Sequence, residues 1–400
     1  MTLAGKHIVL GLSGGIACYK AAEFARGLVK AGASVQVVMT ASAQQFITPV
    51  TMQALSGRPV FSDQWDCRIS NHMAHIDLSR DADAIVISPC SADFMRKLVH
   101  GAADDLLSAL CLARPATLPL LVAPAMNVEM WENPATQRNV LQLKQDGVHL
   151  LGPVAGEQAC GETGLGRMME PESLLSSLQN FFYPKHLSGK KILITAGPTF
   201  EPIDPVRGIT NLSSGKMGYA IARAAAMAGA SVTLVSGPTA LTPAADVRRI
   251  SVTTAQQMHD AVMACVHEHQ VFIAVAAVAD WRVAEFNPQK IKKQDYNAPS
   301  LAFEINPDIL ATVAALPSPP YCVGFAAESE NLLEYGAAKR IKKNIPLLVG
   351  NIGHQTFGQD DNELVLFDAR GHTSLPRASK DQLADRLIEE IASRLPGHKT

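Results

Sequence analysis

Much that would send a chain outward from a water-surrounded core is missing from this one. No run of about 18 uninterrupted apolar residues occurs, so no membrane-spanning helix is expected. The first apolar stretch, 7–11, is short and reads as a strand, not as a secretory leader. Neither sign of charge dominates. Thirty-five Lys and Arg stand against 37 Asp and Glu, for a net charge of −2 and a pI near 6.6. That balance leaves no broad basic face for nucleic acid. The 7 cysteines are an odd number with no CxxC pair. They fit a reducing cytoplasm and not a disulfide framework. What is abundant is apolar: 47% of 400 residues, enough for sizeable cores in two or three domains of roughly 100–200 residues each.

The chain opens the same way twice. Lys6-His7-Ile8-Val9-Leu10-Gly11 begins a run that reaches Ala31-Gly32-Ala33-Ser34-Val35. Lys191-Ile192-Leu193-Ile194-Thr195-Ala196 begins another that reaches Ala228-Gly229-Ala230-Ser231-Val232. Each reads as buried strand, Gly-rich turn, Ala-rich helix, Gly stop, buried strand: a βαβ unit, whose first turn is where α/β folds bind phosphate. A polar linker with Pro184 and Gly189 separates the two, which places domain one at 1–186 and domain two at 187–400. The expected class is α/β, with two Rossmann-like parallel sheets. Strands are expected at 7–11, 34–39, 84–88, 118–123 and 148–151, then at 191–196, 231–235, 271–276 and 346–349. An antiparallel pair is expected at 363–367 and near Thr373. A last helix over 380–395 carries Leu383, Leu387, Ile391 and Leu395 on one stripe. Asn133-Pro134 reads as the capped start of a helix that Gly147 ends.

A dinucleotide fingerprint is also absent. The first turn is Gly11-Leu12-Ser13-Gly14-Gly15 and the second Ala196-Gly197-Pro198-Thr199; neither is GxGxxG. The following strands end in Met39-Thr40 and Ser236-Gly237, without the carboxylate that a ribose requires. A hydroxyl at Thr40 tolerates a phosphate. Domain one therefore suits a mononucleotide such as FMN, held at the turn Ser13, Gly14, Gly15, Ile16 and the helix it opens. Ser213-Ser214-Gly215-Lys216-Met217-Gly218 is half a P-loop. It lacks the upstream Gly and has Met where Mg²⁺ needs Ser or Thr, so it is read as an anion-binding turn.

Several residue types point to chemistry. His75, ahead of a buried strand, reads on spacing alone as structural or catalytic. Asn127, after strand 118–123, offers an amide for a carboxylate; a helix cap is the alternative. Cys160 sits in the polar, Gly-rich run Gly156-Glu157-Gln158-Ala159-Cys160-Gly161-Glu162. That is no place for a core cysteine, and it reads as a lid that moves a proton. The remaining cysteines read as filler. Lys290-Ile291-Lys292-Lys293 is a solvated charge run or a loop that closes on phosphates. Lys339 and Lys343 share one helix face. Asp280, the turn Asn306-Pro307-Asp308-Ile309 and Phe325 end further runs and would complete a nucleotide pocket.

These motifs together resemble one family over essentially the whole chain: the bifunctional coenzyme A biosynthesis proteins, a phosphopantothenoylcysteine decarboxylase fused to a phosphopantothenate–cysteine ligase. The first half resembles flavin-dependent cysteine decarboxylases, which have a flavodoxin-like fold. The matching runs are Ser13-Gly14-Gly15-Ile16-Ala17, Ala74-His75-Ile76, Pro124-Ala125-Met126-Asn127 and Ala159-Cys160-Gly161. The second half resembles the ligase through Thr195-Ala196-Gly197-Pro198-Thr199, Asn211-Leu212-Ser213-Ser214-Gly215-Lys216-Met217-Gly218, Ala277-Val278-Ala279-Asp280 and Lys290-Ile291-Lys292-Lys293. Asp93 stands where such decarboxylases commonly have Asn, after Ser91, and Thr210 precedes Asn211 in a mild change.

The resemblance implies two consecutive reactions. In the second domain CTP, with Mg²⁺ bridging its phosphates, activates 4′-phosphopantothenate as an acyl-cytidylate, and cysteine's amine displaces the nucleotide. Lys290 would stabilise the phosphates and Asn211 orient the acyl-cytidylate. In the first domain the phosphopantothenoylcysteine so formed is oxidised by FMN, loses CO₂ and is reduced again. There Cys160 would supply a proton, His75 act as base or positioning group, and Asn127 hold the departing carboxylate. Flavin contacts would fall to Ser13, Gly14, Ile16, Thr40 and Ser91, and CTP contacts to Asp280, Pro307, Asp308, Ile309, Phe325, Lys339 and Lys343. The family further implies a trimeric decarboxylase half with sites between subunits, a dimeric ligase half, and for the whole chain a larger homo-oligomer such as a dodecamer. Two rival readings are an NAD(P)-dependent oxidoreductase with duplicated Rossmann domains, which a flavin spectrum would exclude, and a non-catalytic flavoprotein subunit.

Overall fold

The computed structural model describes residues 3–66, 68, 73–291, 300–328, 331–352 and 359–395. They divide into two compact units, Met1–Phe182 and Tyr183–Thr400. The division falls four residues ahead of the polar-linker estimate. Composition marks the linker as polar, yet the Tyr183 ring is buried in the second unit.

In the first unit β1 (His7–Leu12), β2 (Ser34–Met39), β3 (Ala84–Cys90), β4 (Leu120–Pro124) and β5 (His149–Leu150) form one parallel sheet, in the order β2-β1-β3-β4-β5. This is the flavodoxin-like order, whose switch point lies between β1 and β3. The helices are α1 (Cys18–Lys30), α2 (Pro49–Ser56), α3 (Ala74–Arg80), α4 (Ala92–Val99), α5 (Leu106–Ala113), α6 (Val128–Glu132), α7 (Pro134–Gln145) and α8 (Pro171–Phe182). The strands are apolar throughout because both faces are covered. Ile8, Leu10 and Leu12 of β1 share a core with Phe24 and Leu28 of α1 and Leu174 and Leu178 of α8. Val9, between them in sequence, belongs to the opposite core, with Leu107 and Leu110 of α5 and Val140 and Leu143 of α7. Each such side chain contributes about 1.5–3 kcal/mol by leaving water. The start of α7 is as read: the Asn133 side chain accepts from the Ala135 N–H, Pro134 fills the first helical position, and Gly147 turns the chain away at φ +76°. A short antiparallel hairpin, β6 (Val154–Glu157) and β7 (Thr163–Arg167), stands apart from the sheet.

In the second unit the strands are β8 (Lys191–Ala196), β9 (Phe200–Pro202), β10 (Gly208–Thr210), β11 (Ser231–Ser236), β12 (Val247–Ser251), β13 (Val271–Ala274), β14 (Trp281–Val283), β15 (Phe303–Ile305), β16 (Tyr321–Glu328), β17 (Leu347–Ile352), β18 (Asp361–Asp368) and β19 (Gly371–Ser379). The main sheet runs β12-β11-β8-β13-β16-β17-β18-β19. It is parallel through β17 and antiparallel for the last two strands. Its first six strands have the doubly wound Rossmann order, with the switch point between β8 and β13. Helices α9 (Lys216–Met227), α10 (Ala255–Cys265), α11 (Ile309–Ala314), α12 (Leu332–Lys342) and α13 (Lys380–Arg394) complete it. Leu383, Leu387 and Ile391 of α13 are fully buried, as the stripe implies. β12 escapes a hydrophobicity reading because it is an edge strand carrying Arg248 and Arg249, the charge that keeps edges from pairing further. Two small antiparallel ribbons, β9–β10 and β14–β15, leave the sheet on its carboxyl side. Among the described residues no helix is long and apolar enough to cross a membrane.

Candidate active sites

At the β1/β3 switch point of the first unit lies a cavity of about 610 Å³. Gly14, Gly15, Ile16 and Ala17 line it from the turn before α1, and Ser91 and Ala92 from the start of α4. Ala125, Met126 and Asn127 line it from the end of β4, and residues 157–160 and 166–168 from the hairpin. No side chain caps α1, and no acidic residue occupies its first turn. Its positive end is thus free for an anion. A side chain at Gly14 would collide with Ser42, with a Cβ only 2.5 Å from the Ser42 Cβ. Ser13 is buried and structural: its hydroxyl donates to the Pro89 carbonyl (2.9 Å) and accepts from the Ser91 N–H (2.8 Å), tying β1 to β3. Thr40 is buried as well, its hydroxyl accepting from the Ala43 N–H. Neither lines the cavity.

Cys160 sits in the turn of the β6–β7 hairpin. Its strands escape the sequence because Gly and Glu, not alternating apolar residues, fill them. Gly166, at φ +128°, lies so close to the chain below that a Cβ would sit 2.6 Å from the Met126 carbonyl. The Gly166 carbonyl accepts from the Met126 N–H in return. Gln158 fastens the tip, accepting from the Val128 N–H (2.9 Å) and donating to the Leu165 carbonyl (3.1 Å). Cys160 is the one exposed cysteine among those described; Cys67 lies outside the described residues. Burial pushes the thiols of Cys18 and Cys322 up to about 11 and that of Cys111 up to about 12, so these are inert filler. Asn127 caps α6, its Oδ1 accepting from the Met130 N–H, and the residue lines the cavity. His75 lies half-buried in the first turn of α3 and does not line this cavity.

Sequence reasoning passed over Lys20. It is buried beside the cavity, donating to the Met168 carbonyl (3.2 Å) and to Glu170 (2.9 Å). That ammonium holds the Glu170 carboxyl below its ordinary range, with Arg167 helping. The signal available was a lysine one turn into an otherwise apolar helix face.

In the second unit the β8/β13 switch point opens into a cavity of about 360 Å³. Gly197, residues 213–218 at the start of α9, residues 275–278 after β13, Phe325 and Lys339 line it. A more open cleft of about 600 Å³ is lined by Ile209, Asn211, Ala279, Asp280, Trp281 and Phe303. Asn211 lines both, and its amide donates to the Ala277 carbonyl (2.9 Å), which fixes it at their junction. Lys216 pairs with Asp360, and Lys380, unforeseen, also faces the first cavity. A lysine at the first position of α13 opposes the helix dipole, and that was the sequence signal for a role beyond capping.

Asp308, Pro307, Ile309 and Lys343 line neither space. Asp308 caps α11 and pairs with Lys343. Burial would raise its carboxyl, but that ammonium and the Ala311 N–H outweigh burial and hold it low. Lys290 is exposed on a loop, and Lys292 and Lys293 lie outside the described residues. The loop is clamped at Ile291. Its N–H donates to the buried Asp204 carboxylate (3.2 Å), and its carbonyl accepts from Arg207 (2.9 Å), which itself pairs with Asp204. The Arg207 guanidinium, joined by three backbone N–H donors, holds Asp204 far below the usual carboxylate range.

Two family models match. One, described as Flavoprotein, covers residues 1–183. The other, the DNA/pantothenate metabolism flavoprotein C-terminal domain, covers residues 187–395. The chain is similar over its length to proteins named coenzyme A biosynthesis bifunctional protein CoaBC. It is 50% identical to that of Vibrio cholerae over 98% of this chain and 100% of the relative, and 48% identical to that of Escherichia coli K12 over 98% of each. A crystal structure of the C-terminal domain of a CoaBC protein covers 52% of this chain and 97% of its own, at 39% identity and a TM-score of 0.46.

Proposed function

Because the chain belongs to the family of bifunctional coenzyme A biosynthesis proteins, we propose a residue-level account of the two consecutive reactions it catalyses. These are the joining of cysteine to 4′-phosphopantothenate and the decarboxylation of the product to 4′-phosphopantetheine. The observation that carries the account is that each unit has one cavity at its own switch point, lined by different chemistry. Full-length relatives do not favour the duplicated oxidoreductase or the non-catalytic subunit.

Residues 187–400 form the ligase. CTP is the activating nucleotide, its triphosphate over the α9 N-terminus with Lys216, Lys339 and Lys380, and with Lys290 reaching in from the Ile291-clamped loop. Asn211, at the junction of the two spaces, orients the acyl-cytidylate so that cysteine's amine meets the acyl carbon. The open cleft beside Asp280 takes the pantothenate arm. Among the described residues no group of three or more His, Cys, Asp and Glu could hold a metal ion. Magnesium would accompany CTP, bridging its phosphates and neutralising their charge.

Residues 1–186 form the decarboxylase. An uncapped helix end and a glycine that must lack a side chain fit the phosphate of FMN, and the mostly apolar walls fit its ring. When bound, the flavin supplies the two-electron oxidation and return that make loss of CO₂ easy. The chain's own residues hold the leaving carboxylate at the Asn127 amide, keep water off under the hairpin, and deliver a proton from the Cys160 thiol. His75 acts as base or positioning group. Since it does not line its own unit's cavity, we assign it to the cavity of a neighbouring copy, as expected of a trimer. Exposed Ile16, Tyr19, Phe46 and Val50 support such a neighbour, and Trp281, Phe303 and Ile305 on the β14–β15 ribbon support a dimer of the ligase half. Unpaired thiols fit a cytoplasmic setting. The test is direct: the purified chain should show a flavin spectrum, and the pigment released by denaturation should have the mass of FMN. A colourless or FAD-bearing chain would overturn the assignment.

A further inference from the structure

Glu162 carries no role in the sequence reading and does not itself line the first unit's cavity, yet its carboxylate meets two residues that do, Asn127 and Cys160. One oxygen, Oε2, accepts from the Asn127 amide at 3.2 Å and from the Cys160 thiol at 3.3 Å. Both donors belong to the residues assigned to the leaving carboxylate and to the proton. The amide has no freedom to serve two masters by turning, because its oxygen is committed to the Met130 N–H. That leaves Nδ2 as the atom of this side chain able to meet a ligand. The hairpin turn that carries Glu162 is itself braced: the Gln158 N–H donates to the Glu162 carbonyl (2.8 Å) and the Gly161 N–H to the Gln158 carbonyl (2.9 Å). The carboxylate is therefore delivered to this place by the fold and is not a stray surface side chain.

We propose that Glu162 is an internal stand-in for the substrate's carboxylate: it occupies the Asn127 and Cys160 donors in the resting site and is displaced when phosphopantothenoylcysteine binds. This rests on the reading that Asn127 holds the carboxylate that leaves. The Asn127 Nδ2 carries two N–H donors and Glu162 takes one of them, so a second carboxylate brought to the other would stand directly beside the first, where like charges repel. Substrate binding must break the Glu162 contacts, which costs affinity. The decarboxylated product has no carboxylate, so Glu162 returns to its donors with the product still present. Glu162 is thus a positioning residue whose displacement costs the substrate affinity and leaves the product's unchanged.

The experiment is Glu162→Gln in the full-length holoenzyme, with Glu162→Asp beside it. Gln keeps the size and an acceptor oxygen but loses the charge, so it yields the Asn127 amide more readily. The KM for phosphopantothenoylcysteine should fall by about three- to tenfold, the size of one charge-assisted contact no longer broken. The inhibition constant of added 4′-phosphopantetheine should stay within about twofold of the parent, since surface changes without such a partner do little. Asp keeps the charge and should lie between the two. A general loosening of the hairpin would move both constants together, and that result overturns the proposal, as does an unchanged KM. Asn127→Ala separates this from the underlying reading. If that variant decarboxylates normally, Asn127 does not hold the carboxylate; if it is impaired while Glu162→Gln leaves KM unmoved, only the stand-in fails.

Discussion

In the first unit the Cys160 thiol and the Asn127 amide both bond the Glu162 carboxylate, so a change at any one of the three alters the partners of the other two. Cys160 and Asn127 were legible because each breaks the local pattern: a thiol in a polar, glycine-rich run, and an amide just past a buried strand. The structure brings both to one cavity. Glu162 was not legible, because nothing in a linear string says which donors a carboxylate will meet. Ser13 and Thr40 match the expected motif positions; both are buried, with their hydroxyls bonded to the Pro89, Ser91 and Ala43 backbone, and neither lines the cavity. His75→Asn should lower decarboxylation by about 10²-fold or more, the usual loss of a positioned acid or base. Ligation by the same variant should stay near the parental rate, since His75 belongs to the other unit. Equal loss of both activities, with a lowered melting temperature, would mean misfolding instead.

Elements decide how those residues are presented. The parallel strands were readable as continuous apolar runs, and α13 as a leucine stripe. The edge strand β12 and the β6–β7 hairpin were not, because their partners, not their composition, make them strands. The Lys290 loop shows the same limit. Its polar sequence says only that it is solvated, while its anchor is a buried carboxylate 87 residues away. Lys290→Gln separates the two readings of that run. A solvated charge would cost within about ±0.5 kcal/mol. A phosphate-facing lysine would cost roughly 3–4 kcal/mol, or on the order of 10²–10³ in pyrophosphate release.

Asp204→Asn tests the anchor. The folded Asp204 carboxyl lies below its unfolded value. Its contribution is therefore fully present above the ordinary carboxylate pKa of about 3.9 and drains away as pH falls below that value towards the lower folded one. The parent's urea midpoint should drop across that acidic window. The variant should start lower at neutral pH and show a shallower drop there; parallel curves would contradict the anchoring role.

At the scale of the whole molecule, two Rossmann-like units each place a cavity at their own topological switch point, one for each of two consecutive reactions. The duplicated openings made that much legible in the sequence. No pattern in the residues themselves marks an assembly; only the family resemblance implies one. If His75 serves a neighbour's cavity, then co-assembling His75→Asn with Cys160→Ser should restore formation of 4′-phosphopantetheine, which neither variant completes at the parental rate alone. Random assortment in a trimer would leave about a quarter of the sites intact. Absence of any recovery after verified exchange of subunits would place both residues in one copy.

The central claim is that one chain performs ligation and decarboxylation at two chemically independent sites. A mass-resolved time course on the full chain, supplied with 4′-phosphopantothenate, cysteine and CTP, tests it most directly. The parent should form phosphopantothenoylcysteine and then 4′-phosphopantetheine. Lys290→Gln should stall before the first yet decarboxylate phosphopantothenoylcysteine when it is supplied. Cys160→Ser should ligate at the parental rate, release CO₂ and accumulate a decarboxylated species lacking two hydrogens of the final product. A well-folded variant of either residue that loses both reactions together would contradict the account.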